Sequence, residues 1–281
     1  MNTEKRDAMN ILVTLDANYI PPLTVMLSSM LRSNPGERFN VYVANSSLTT
    51  ADFDRIRACI QPARCRVINV KVDPELLKDA PVMERISKET YYRLVAMDYL
   101  PAEVKKILYI DPDTVVINSL RQLYDTQMGD ALIMGSSHVE RIFNGINTRR
   151  LKMPRECKYI NAGVLLMNIE GIRGYVTSAE IFDYIAQNAK KLYLADQDVI
   201  NALFCTKTLY VDARVFNLDE KTIRMFKSTT DLDWVNSNCV IVHFNGKYKP
   251  WKEEYKGVLK GFYDREYAVM NENRARVSKV G

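Results

Sequence analysis

Short blocks of aliphatic side chains alternate along the chain with stretches whose apolar positions recur every three or four residues. Met9 to Asp16 reads as a first strand running into the polar turn Asp16-Ala17-Asn18-Tyr19. Pro21 and Pro22 suit the first turn of a helix, where a missing N–H costs nothing. Leu23, Met26, Leu27, Met30 and Leu31 then give that helix one apolar face. Ser33-Asn34-Pro35-Gly36 stops it. Phe39–Val43 predicts a second strand, Ser47–Ile60 a second amphipathic helix capped by Thr49 or Thr50, and Arg66–Val70 a third strand. Such a β-α-β-α-β opening predicts a parallel sheet wound right-handed. In such sheets ligands sit beyond the carboxyl ends of the strands.

The remaining pattern is less regular. Asp73–Lys88 reads as a loop broken by Pro74 and Pro81, and a helix follows through Tyr99, with Leu94 and Met97 inward and Arg93 near its start. Leu120–Tyr124 predicts a short helix and Ala131–Met134 a strand. His138–Pro154 predicts a polar loop, read as a mobile flap from its length and polarity. Tyr159–Asn168 is a turn feeding an apolar strand, Ser178–Leu192 a helix, Leu194–Phe204 another, and Leu209–Val211 a strand. Asp212–Asp233 reads as irregular. Cys239–Val242 is an apolar strand that delivers His243, and Trp251–Tyr267 is expected to form a terminal helix.

One stretch carries chemistry. In Lys106-Ile107-Leu108-Tyr109-Ile110-Asp111-Pro112-Asp113, a strand buried on both faces ends in two carboxylates. Pro112 cannot donate to a ladder, so the strand stops there. Buried ionised carboxylates cost several kcal/mol each, on the order of what a partner must offset, and a hard divalent cation is the simplest partner. Read alone, Asp-Pro-Asp fits a turn equally well. Asp196 and Asp198, taken alone, read as helix N-terminal acids. Arg93 reads as a solvated helix charge or as an anion contact, and Asn161 as a backbone partner or a ligand contact.

Composition narrows the class. A hydrophobic fraction of 47% over 281 residues supports one large α/β domain or two small ones. A net charge of +5 demands no nucleic acid and suits an anionic small substrate. Five scattered cysteines without a Cys-x-x-Cys pair argue against a disulfide framework or zinc knuckle. No apolar run approaches the roughly 20 residues of a membrane helix, and the expectation is a cytoplasmic chain. Neither Gly-x-Gly-x-x-Gly nor a P-loop follows the first strand, which disfavours dinucleotide oxidoreductases and P-loop ATPases.

Four separated motifs line up in order: Asp16-Ala17-Asn18-Tyr19; Tyr92-Arg93-Leu94; Asp111-Pro112-Asp113 with Asn161-Ala162-Gly163-Val164-Leu165; and Asp196-Gln197-Asp198 followed by His243-Phe244-Asn245-Gly246-Lys247-Tyr248-Lys249-Pro250-Trp251. Together, from about residue 10 to residue 255, they resemble glycosyltransferase family 8, nearest the bacterial α-galactosyl- and α-glucosyltransferases of lipopolysaccharide synthesis and more distantly glycogenin. The resemblance implies an α/β GT-A fold with a mixed, mostly parallel central sheet flanked by helices. It implies a catalytic domain over residues 1–250, with a C-terminal helix and basic tail over 251–281. It implies a UDP-glucose or UDP-galactose donor, Mn²⁺ with Mg²⁺ as the alternative, a saccharide or glycolipid acceptor, and retention of anomeric configuration.

By that likeness Asp16 and Asn18 bind the uridine, and Arg93 sits by the donor. Asp111, Asp113 and His243 hold the metal. Gly246 and Lys249 contact the diphosphate, and Asn161, Asp196 and Gln197 face the donor sugar, with Asp196 and Gln197 as the catalytic candidates. Ala17 departs from the nearest relatives, which often carry a second acid there; Asp16 and Asn18 persist, so uridine binding is expected to survive. The basic tail, with Arg274, Arg276 and Lys279, is a candidate for peripheral contact with acidic lipid at the inner membrane face. A UDP-sugar-binding regulatory protein without transfer activity would share these motifs, whereas a two-acid-plus-His phosphohydrolase, the third class, is disfavoured by Asp16-Ala17-Asn18 and Asp196-Gln197-Asp198.

Overall fold

The computed structural model describes residues 7–73, 75, 88–138 and 141–277. The opening is β1 (Met9–Thr14), α1 (Ile20–Ser33), β2 (Phe39–Asn45), α2 (Thr50–Arg57) and β3 (Cys65–Lys71). After it come α3 (Lys88–Tyr92), α4 (Ala96–Tyr99), β4 (Lys106–Ile110), β5 (Thr114–Val116), α5 (Arg121–Tyr124), β6 (Ile133–Ser136) and α6 (Arg141–Arg150). The remainder is β7 (Val164–Asn168), α7 (Ile169–Arg173), α8 (Ser178–Asn188), α9 (Ala195–Phe204), β8 (Thr208–Val211), α10 (Ala213–Phe216), α11 (Glu220–Met225), α12 (Leu232–Asn238), β9 (Ile241–His243) and α13 (Lys260–Val277).

The main sheet has the order β3-β2-β1-β4-β7-β6-β8. β1 to β4 are parallel, with Met9 opposite Phe39 and Ile11 opposite Leu108. β7 runs antiparallel to both β4 and β6, and β8 is parallel to β6. The sheet is therefore mixed and mostly parallel. Its central strands are buried on both faces, which is why they read as unbroken apolar runs. Ile11 and Val13 pack with Leu23, Met26 and Leu27 of α1, whereas Leu12 and Tyr109 pack with the layer that contains α8 and α9.

Pro112 ends β4, and the chain then leaves the main sheet. β5 pairs antiparallel with β9 in a second, two-stranded sheet, with Thr114 opposite His243. A third apolar cluster lies beneath it, where Val25, Val115, Val242 and Phe244 meet Leu259, Phe262 and Tyr263. The C-terminal segment thus shares a core with α1, and Arg32 of α1 ion-pairs with buried Glu266 at 2.6 Å.

Several expectations change. Part of the stretch read as a flap at 138–154 is a helix, α6. Its Phe143 and Ile146 face solvent, so no apolar stripe marked it. Asp212–Asp233 holds α10, α11 and the start of α12, each N-capped by an aspartate (Asp212, Asp219, Asp231) and each too short to show a helical period. The terminal helix begins at Lys260, not Trp251. The carboxylate of Glu220 accepts from the Tyr255 hydroxyl at 2.7 Å and the Leu259 amide at 2.8 Å, holding the preceding segment as turns. The helix expected through Tyr99 is broken by a 3₁₀ turn over Arg93–Val95. The loop expected at Asp73–Lys88 lies almost wholly outside the described residues, as does Lys279.

Candidate active site

Two strand ends build the centre of the site. Asp111 and Asp113 follow β4, and His243 ends β9. The Thr114–His243 pairing and the Phe244 N–H donated to the Asp113 carbonyl at 3.0 Å bring them together. His243 Nε2 lies 3.3 Å from Asp113 Oδ1 and 3.6 Å from Asp111 Oδ2. One ligand atom from each of the three residues falls within 4.8 Å of the others. His243 is buried, and its Nε2 has no hydrogen-bond partner. A buried imidazole nitrogen without a partner, facing two carboxylates, fits a divalent metal.

The surroundings of this triad are crowded and charged. Burial pushes the Asp113 carboxyl up, but His243 and then Lys249 outweigh it and hold it well below the usual carboxylate range. Burial likewise works against the charged form of His243, and Asp113 reverses that to leave the imidazole above its ordinary pKa. Lys249 Nζ donates to Asp113 Oδ2 at 2.6 Å and to the Phe244 carbonyl at 2.9 Å. Gly163, at the turn into β7, lies against the triad. A Cβ there would collide with the His243 ring and come within 2.6 Å of Asp111 Oδ2.

Arg93 links this centre to the next pair of candidates. The 3₁₀ turn buries it, so it is not a solvated helix charge. Its guanidinium lies 4.2 Å over the Tyr109 ring, and contacts Asp111 Oδ1 at 3.1 Å and Asp196 Oδ2 at 3.0 Å. A third nitrogen donates to the Ala162 carbonyl at 2.8 Å. Tyr109 itself donates to Asp111 Oδ1 at 2.6 Å. Burial raises the Asp196 carboxyl to about 6 despite the opposing pull of Arg93.

Asp196 and Gln197 open α9. Gln197 Oε1 accepts from the Ala162 N–H at 3.2 Å and from Asn161 Nδ2 at 3.1 Å. Asp198 accepts from the backbone N–H of Leu194 at 2.9 Å. Asp198 is fully buried and also takes two guanidinium nitrogens of Arg150 and the Tyr159 hydroxyl. Ala195 adopts φ +41°, a left-handed conformation rare for a residue with a Cβ.

A cleft of about 700 Å³ is lined by Arg93, Asp111, Asp113, Asn161, Asp196, Gln197, His243 and Lys249 together. A second cavity of about 340 Å³ shares Thr90, Arg93, Asp111 and Asp113 with it and extends to Asp16 and Tyr19. Asp16 accepts from the Asn18 N–H at 2.8 Å, capping the 3₁₀ turn Ala17–Tyr19. Asn18 is exposed beside Trp251, in an adjoining cavity. Gly246 lines none of these three cavities; a Cβ there would reach only the Tyr248 carbonyl, at 4.0 Å.

Some residues of this neighbourhood escaped the sequence reading. Asn217 is fully buried and accepts from or faces His243 Nδ1 at 2.8 Å, yet it lies in the stretch read as irregular. Tyr109 looked like one more strand residue. His138 packs its Nδ1 against Asp219 Oδ2 at 3.1 Å, and Asn245 donates to the same oxygen at 2.9 Å. Only tertiary proximity marks any of the three.

The family described as Glycosyl transferase family 8 matches residues 10–255. A lipopolysaccharide 1,2-glucosyltransferase of Escherichia coli is 24% identical, covering 89% of this chain and 75% of its own length. General stress protein A of Bacillus subtilis (strain 168) is 24% identical over 90% of each chain. The crystal structure of the galactosyltransferase LgtC in complex with donor and acceptor sugar analogs superposes with a TM-score of 0.81 at 24% identity, over 93% of this chain and 96% of that one. The sheet described above is the GT-A fold.

Proposed function

This chain belongs to glycosyl transferase family 8, and from that premise we propose that it transfers glucose or galactose from a UDP-sugar to a saccharide or glycolipid acceptor, with retention and with Mn²⁺ or Mg²⁺ bound. The observation that carries the reading is the meeting of Asp111, Asp113 and the bare His243 Nε2 on the wall of the cleft that also holds Asp196 and Gln197. Those first three residues would hold the metal, which supplies Lewis-acid stabilisation of the diphosphate leaving group.

The chain's own groups supply the rest. Asp16 and Asn18 would bind the uridine. The Lys249 ammonium adds fixed positive charge where negative charge grows as the sugar–phosphate bond breaks. Gly246, which carries no side chain, would let backbone approach the phosphates. Arg93 neutralises Asp111 and Asp196 at once and holds the sugar-side carboxylate in place.

The bond from the anomeric carbon to the β-phosphate oxygen breaks with its electron pair on the phosphate. The acceptor hydroxyl oxygen forms the new bond on the same face, and its proton passes to that phosphate. A double displacement needs a free carboxylate on the opposite face, as in retaining hydrolases. Asp196 Oδ2 is engaged by Arg93, and Gln197 is an amide whose oxygen already accepts twice. Both features favour front-face attack.

A panel of UDP-sugars, incubated with Mn²⁺ and with or without saccharide acceptors, tests the reading by UDP release. Release with one or two hexoses is expected. Tight binding of UDP-sugars with no release under any condition would instead indicate a regulatory binding protein, and release of inorganic phosphate a phosphohydrolase.

A further inference from the structure

Four side-chain amides and imidazoles form a directed chain beneath the cleft. It begins at two backbone donors whose identity is beyond question. The Gly163 N–H donates to Asn161 Oδ1 at 2.9 Å, and the Ala162 N–H to Gln197 Oε1 at 3.2 Å. These fix Asn161 with its oxygen toward Gly163 and its NH₂ toward Gln197, 3.1 Å away. The oxygen of Asn161 also faces Asn217 at 3.0 Å, so Asn217 must present its NH₂ there. Its own oxygen is then left for His243 Nδ1 at 2.8 Å. An amide oxygen only accepts, so the proton of the neutral ring must be on Nδ1.

We infer that Asn217 is a positioning residue that sets the tautomer of His243, holding the proton on Nδ1 so that the Nε2 lone pair faces Asp111 and Asp113. The orphaned state of Nε2 and the complete burial of Asn217 are what this arrangement requires. Without Asn217 the neutral ring would place its proton on Nε2, where Asp113 Oδ1 at 3.3 Å accepts it. A metal would then have to displace that proton. Outer partners that fix a ligand imidazole are typically worth about 10- to 100-fold in metal affinity.

The inference rests on the metal reading above for its consequence, but not for its first test. The chain has two histidines, so the ring ¹⁵N–¹H correlations of the metal-free protein can be assigned with a His138→Gln variant. At a pH where the ring is neutral, His243 is expected to carry its proton on Nδ1. An Nε2–H spectrum in the wild-type protein overturns the inference outright, whatever the variants do.

In Asn217→Leu the tautomer is expected to reverse, and Mn²⁺ affinity, read by electron paramagnetic resonance with UDP at saturation, to fall about 10- to 100-fold. A variant whose tautomer and Mn²⁺ affinity both match the wild type also overturns it. Wild-type protein that binds no Mn²⁺ in the presence of UDP would instead strike the metal reading, while the ring spectrum still decides the role of Asn217.

Discussion

Thr114 and His243 face each other across the antiparallel pair β5–β9, and this register sets the candidate metal site. Asp113 precedes Thr114, so its carboxylate falls 3.3 Å from the His243 ring, while Asp111, two residues further back across Pro112, lies on the same side of the cleft. A site made from two strand ends should fail as a unit. His243→Ala and Asp113→Asn are each expected to weaken Mn²⁺ binding to the UDP complex by at least about tenfold, and to remove Mn²⁺-dependent UDP release. Calorimetric titration of Mn²⁺ checks the first expectation and the UDP assay the second. Full metal-dependent turnover in both variants would refute the assignment.

Gly163, against the triad, and Gly246, proposed above to contact the diphosphate, should behave oppositely. A methyl group at Gly163 strikes the His243 ring and Asp111, so Gly163→Ala is expected to lose about 1–3 kcal/mol of stability through overpacking and to lose metal binding with it. At Gly246 the added methyl meets almost nothing in the protein. Gly246→Ala should therefore unfold at the wild-type denaturant concentration and show its defect only as a raised KM for the UDP-sugar. Denaturant melts beside steady-state kinetics separate the two.

Asp196 is held ionised at a cost. Its folded pKa of about 6 lies above the ordinary value of 3.8 because burial disfavours the charge. Between these two values the folded state binds more protons than the unfolded chain, so this group's contribution to stability is lost as pH rises through the window. The shift corresponds to about 3 kcal/mol. Asp196→Asn is thus expected to be more stable than wild type at pH 7 to 8, with the gap closing as pH falls toward 4, and yet to lose transfer activity. Chemical denaturation across that pH range tests the sign, and a gap that widens on acidification would contradict it.

Arg150 anchors α6 to the loop that carries Tyr193 and Leu194 over the cleft. Its guanidinium pairs with buried Asp198 and lies 4.7 Å over the Tyr193 ring. Arg150→Met leaves the Asp198 carboxylate buried with only the Tyr159 hydroxyl and the Leu194 amide, and should cost about 3–5 kcal/mol. Exchanging both residues, as Arg150→Met with Asp198→Leu, should recover much of that loss. Denaturant midpoints of the single and double variants provide the measurement.

Some helices were illegible for identifiable reasons. α6 turns Phe143 and Ile146 to solvent and is fixed by the polar contacts of Asn144 and Arg150, so its hydrophobic pattern pointed away from a helix. α10, α11 and α12 are too short for periodicity to accumulate, and their aspartate caps resemble loop residues until the backbone is seen. The 3₁₀ turn at Arg93 is equally invisible in pattern, although it converts an ordinary helix charge into a buried bridge between two aspartates.

Residue type and order by themselves determined the alternation of strands and helices, the parallel opening of the sheet, and the delivery of Asp111, Asp113 and His243 at the ends of apolar strands. These follow from local rules: apolar periodicity, the missing donor of proline, and short-range spacing. Tertiary structure alone decided that β7 runs backward, that Arg93 joins Asp111 to Asp196, and that Asn217 faces His243. Each of those depends on groups distant in the chain meeting where water is excluded, and the energy of such a meeting leaves no trace in the neighbours of either residue.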